Sequence, residues 1–80
     1  MKIRVFVSLK DGVLDPQGKA VEHALHSLGF EGAADVRISR VVDLQVKADN
    51  AEEAKVKGAE MARALLANEV IEDFHVEVAG

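Results

Sequence analysis

The chain has 80 residues, no cysteine, tryptophan or tyrosine, only three phenylalanines, and a formal net charge of −4. A single domain over residues 1–80 is expected, with a thin core, because a chain this short buries only about 60% of the surface its unfolded form exposes. The acidic balance and the lack of an aromatic stacking platform argue against a nucleic-acid binder, and no apolar run is long enough to cross a membrane.

Without disulfides, and with three scattered histidines, the added stability is expected from self-association or a larger partner. The absence of cysteine fits a reducing compartment. Met1-Lys2-Ile3-Arg4 leads straight into strand-like alternation with no apolar signal core, so a cytoplasmic protein is expected.

Ile3, Val5, Val7 and Leu9 alternate with Lys2, Arg4, Phe6 and Ser8, the period of a half-buried strand. Residues 10–15 form a loop that ends in a helix start: Asp15 can cap the first turn, and Pro16 suits the first helical position. Ala20, Val21, Ala24, Leu25 and Leu28 then follow one helical face, and Gly29 is placed as a left-handed stop. Val36, Ile38, Val42, Leu44 and Val46 share one parity, predicting one long strand or two short ones bent near Ser39-Arg40.

Asp49-Asn50-Ala51-Glu52-Glu53 opens a second helix with a cap and early acids. That helix runs to about Ala67, with Ala51, Ala54, Gly58, Met61, Ala62 and Leu65 on one face. Phe74, Val76 and Val78 close the chain as a strand. The order β-α-β-α-β predicts an α+β two-layer sandwich, an antiparallel sheet of three or four strands with both helices on one face, related to the ferredoxin-like arrangement. The other sheet face mixes Phe6 and Val41 with Arg4, Ser8, Arg37, Ser39, Asp43 and Gln45. It is too apolar for plain solvent surface, so a subunit interface is expected there.

No nucleophile, acid and base converge in the sequence, and no catalytic residue is expected. Ser8, Ser27 and Ser39 lack a sharp strand-to-helix elbow. Gly12 and Gly18 flank a loop entering a helix, but their spacing fits neither the Rossmann nor the P-loop pattern, and Asp11 and Asp15 would repel an anion. His23 and His26, beside Glu22, are close enough to share a metal but lack further ligands, so no metal site is expected. Glu72 and Asp73 are adjacent carboxylates that face solvent or a partner, and His75 lies on the polar parity of the last strand. Arg40 falls on an apolar parity. The favoured reading is a strand break turning it outward; the sharper one is an interface arginine reaching a carboxylate or phosphate on another subunit. Gly58, within a helix, implies close packing on a strand or another subunit.

Three segments resemble one known family in order along nearly the whole chain. Val7 to Gly18 is similar to V-x-L-K-x-G-V-L-D-P-Q-G. Val36-Arg37-Ile38-Ser39-Arg40-Val41-Val42-Asp43-Leu44 is similar to V-R-x-G-K-x-x-[ED]-L. Leu65 to Phe74 is similar to L-L-A-N-P-V-I-E-D-[YF]. These are motifs of the PurS small subunits of phosphoribosylformylglycinamidine synthase. Ser39-Arg40 replaces Gly-Lys and Glu69 replaces proline.

The resemblance implies a non-catalytic subunit with no cofactor of its own. It would associate as a dimer or tetramer and help to hold a large synthetase subunit, which uses ATP and magnesium, to a glutaminase subunit. It also marks two loops as partner-binding: Lys10, Asp11, Gly12, Gln17 and Gly18 in the first, and Asn68, Glu72 and Asp73 in the second. Arg37 and Arg40 are further candidates. Asp15 and Pro16 are explained by the helix entry alone. The alternative is an ACT-like regulatory domain that binds a small molecule at a dimer interface.

Overall fold

The computed structural model describes residues 1–79. Strand β1 (Lys2–Leu9) buries Ile3, Val5 and Val7 on one side, as the alternation predicts. It is central: β2 (Arg40–Gln45) and β3 (Glu72–Val78) flank it, both antiparallel to it, in the order β2-β1-β3. Register pairs Val5 with Val42 on one side and with Val76 on the other, so the apolar parities of all three strands share a face.

This topology gives the two helices different tasks. The flanking strands β2 and β3 run parallel to each other, and parallel strands of one sheet need a crossover. Helix α2 (Ala51–Met61) makes it, laying Ala54 and Gly58 against the buried face. A Cβ added at Gly58 would sit 2.8 Å from a methyl of Val76 and 2.9 Å from one of Ile3, which is the close approach its glycine implies.

Helix α1 (Pro16–Ser27) instead joins two antiparallel neighbours, whose adjoining ends need no crossover. It leaves the sheet and returns, so the expectation that both helices lie on the sheet holds only for α2. The stripe of α1 is largely open, with Leu28 73% and the following Phe30 61% exposed. The α+β class, the three antiparallel strands and the two helices are as expected.

Two further boundaries differ from the expected ones. The second extended region contains one strand, beginning at Arg40; residues 36–39 run outside the sheet, bonded to α1 and its cap instead. Helix α2 passes into a wide π-helical turn, Ala62–Leu66, closed by the Ala67 amide donating to the Ala62 carbonyl at 2.9 Å. The wide turn advances the inward position by one residue. Leu66 therefore packs against the core, while Leu65, expected there, is 84% exposed.

Candidate functional site

The loop after β1 is built locally. Asp15 caps α1, its carboxylate accepting the Gly18 amide at 2.8 Å, with Pro16 in the first turn. Its other oxygen accepts the Ile38 amide at 2.7 Å, which ties the helix entry to a segment more than twenty residues away. These two amides, Ile38 first, hold the Asp15 carboxyl below the ordinary carboxylate range. Gly12 has φ +85°, the left-handed conformation that suits glycine in this turn. Arg37 stitches the same loop, donating to the Val13 carbonyl at 2.8 Å and to the Lys10 carbonyl at 3.2 Å.

The second loop leans on the first. The Lys10 amide donates to the Ile71 carbonyl at 2.9 Å, and Lys10 Nζ lies 3.3 Å from the Asp73 carboxylate. Asn68 Oδ1 accepts the Val70 amide at 3.1 Å, a side-chain turn that explains an asparagine there. The Asn68 carbonyl accepts the amides of Ile71 and Glu72 at 3.1 and 2.7 Å.

Arg40 and Glu72 close the cluster. Arg40 keeps the apolar parity of β2, opposite Val7, and no bulge turns it out. It donates twice to Glu72, at 2.7 and 3.0 Å, and also to the Leu66 carbonyl at 2.6 Å. Glu72 is buried and further accepts the Asn68 amide at 2.8 Å. The Arg40 guanidinium, and then this amide, hold the Glu72 carboxyl below its usual range, and the pair raises Arg40 in turn. The expected break is present, since β2 begins at Arg40, and the side chain is half exposed, but it meets a carboxylate of its own chain rather than one on another subunit. A signal was present in the sequence: Glu72 shares the parity of Phe74, Val76 and Val78, so each outer strand begins with one charge, of opposite sign, on its apolar side.

All three motif segments thus meet at one end of the sheet, around a cleft of about 140 Å³ lined in part by Ser8, Gln17, Ile38, Ser39, Arg40 and Glu72. Of the expected contact residues, Asp11, Gly12, Gln17, Asn68 and Asp73 are exposed and Lys10 is half-buried. Gly18 is buried, and a Cβ there would fall 2.2 Å from the Val36 carbonyl oxygen. Arg37 and Arg40 are engaged within the chain. Periodicity gave no hint of the exposed Leu65, which reaches the surface through the π-helical turn. Val70, in the adjoining loop, is 83% exposed.

Glu22 accepts the Val36 amide at 3.2 Å and His26 Nε2 donates to the Ala33 carbonyl at 2.7 Å. Among the described residues no three metal-ligating side chains converge, and no helix is long and apolar enough to cross a membrane.

The fold is a small α+β arrangement, a three-stranded antiparallel sheet with its motif loops gathered at one end. Residues 2–80 match the family model for PurS, described as phosphoribosylformylglycinamidine (FGAM) synthase. The chain is 51% identical over 78 residues to the PurS subunit of that synthase from Bacillus subtilis (strain 168), an alignment spanning 96% of this chain and 90% of the relative. A solved structure of the B. subtilis PurS superposes with a TM-score of 0.84 at 49% identity, over 99% of this chain and 98% of that one. A chain in the structure of PurLQS from Thermotoga maritima superposes with a TM-score of 0.85 at 28% identity, over 95% and 93% of the two chains. The chain belongs to the PurS family, the small subunits of FGAM synthase in purine biosynthesis. Nothing favours the ACT-like alternative.

Proposed function

We propose that this chain, acting as one domain, holds a glutaminase chain and an ATP-dependent synthetase chain together, so that ammonia from glutamine reaches formylglycinamide ribonucleotide before it is lost to water. The observation that carries this reading is the convergence of the three family motifs on one braced end of the sheet. Docking of this kind acts by raising effective concentration, and it needs no reacting group on the docking subunit. ATP and magnesium belong to the synthetase, and this chain contributes no cofactor. The exposed parts of Lys10 to Gln17 and of Asn68 to Asp73 supply the contacts, and the chain works in the cytoplasm as a dimer or tetramer.

Sedimentation of the three chains, mixed and in pairs, tests the docking. A species containing all three, formed only when this chain is present, is the expected result. Synthetase and glutaminase that co-sediment equally well without it would overturn the proposal.

A further inference from the structure

Arg40 touches two consecutive stretches of chain, the end of the π-helical turn and the turn that follows it, and joins both to the start of β2. One of its nitrogens holds the Leu66 carbonyl, at the end of the π-helical turn that carries Leu65. The guanidinium also grips Glu72, whose carboxylate accepts the Asn68 amide and so closes the turn that carries Val70. Leu65, just before the first anchor, and Val70, between Asn68 and Glu72, are among the most exposed large apolar side chains of the molecule.

Backbone bonds shape the loop from within, the Ile71 and Glu72 amides to the Asn68 carbonyl, and the Lys10 amide ties it to the first loop; the Arg40–Glu72 pair adds the tie to β2. A pair in which both members also bond the backbone is a stiffer brace than two solvated charges. We propose that Arg40, acting through Glu72 and the Leu66 carbonyl, is a positioning residue that keeps the loop 67–72 in the shape that docks the synthetase–glutaminase complex. Glu72 is then part of the brace, and is not itself a contact to a partner.

The inference rests on the assembly reading and is tested within it. Glutamine-dependent FGAM formation by the two partner chains is titrated with this chain, with the ammonia-dependent rate as control. Arg40→Ala is expected to raise the half-saturating concentration by about fivefold to tenfold while leaving the rate at saturation and the ammonia rate unchanged. Glu72→Gln is expected to do the same, and the double variant to do little more than either alone. Arg40→Lys, which keeps a donor to Glu72, is expected to recover part of the loss. Amide exchange should quicken at Asn68 and Val70 in Arg40→Ala while Val5 stays protected.

An unchanged half-saturating concentration, or additive effects in the double variant, would overturn the proposal. Should Arg40→Ala fail to fold, Glu72→Gln and Arg40→Lys carry the same comparison. A wild-type chain that gives no stimulation at all would instead contradict the assembly reading on which the proposal stands.

Discussion

Asp15 shows how one side chain can serve two levels of structure. As a cap it is local, and the sequence Asp15-Pro16 announces it, because capping and the fixed φ of proline depend on the next three residues alone. As the acceptor for the Ile38 amide it is tertiary. Nothing within several residues of Asp15 encodes that second bond, so it was not legible. Asp15→Asn keeps one acceptor but gives up the charge and one of the two strong bonds. At neutral pH this should lower the melting temperature by roughly 5 °C.

The pH dependence follows from the lowered pKa values of Asp15, Glu53 and Glu72. The unfolded chain then binds more protons than the folded one, so stability rises with pH through this range. These contributions are complete above the ordinary carboxylate range and are lost as pH falls through the lower folded values. The deficit of Asp15→Asn should therefore shrink on acidification, as measured by thermal melts from pH 7 to pH 3. A deficit that grew towards acid would contradict the assignment.

Among the elements, β1 and β3 were legible because their periodicity and their burial agree; of α2 the cap and the buried Ala54 and Gly58 were, with Ala62 just past its end, while Ala51 and Met61 of the same stripe are exposed. The π-helical turn was not legible, since a one-residue expansion leaves no mark on composition and carries Leu65 outward against the helical period. Nor was the open face of α1: its stripe reads as amphipathic, but topology decides whether a sheet lies beneath it.

The glycines separate two kinds of close approach. At Gly58 the added methyl meets the ends of Val76 and Ile3, which can shift a little, while alanine gains about 1 kcal/mol of helix propensity. Gly58→Ala should cost a net of about 1 kcal/mol in urea unfolding. At Gly18 the methyl meets the backbone oxygen of Val36, which cannot give without moving the 36–39 segment. Gly18→Ala should cost about 2 kcal/mol or more. Equal costs would show that the Val36 segment yields easily.

At the scale of the molecule, the chain measures 49 × 27 × 14 Å, with a Cα radius of gyration of 15.7 Å. A compact chain of this length would have about 12 Å. The excess comes with an open α1 and an uncovered sheet face on which Phe6 lies between Val41 and His75. A subunit that leaves this much apolar surface open is expected to associate, so light scattering should give a mass that is a multiple of the 8.6 kDa chain. Leu28→Glu with Phe30→Ser should reduce that mass if α1 supplies the contact. Val41→Glu should do so if the sheet supplies it.

The central claim is that this chain couples two activities without performing either. Its most direct test is glutamine-dependent FGAM formation by the partner synthetase and glutaminase, compared with and without this chain, with free ammonia as the alternative nitrogen source. The glutamine reaction should require the chain, and the ammonia reaction should proceed in its absence. Equal glutamine-dependent rates with and without it would contradict the claim.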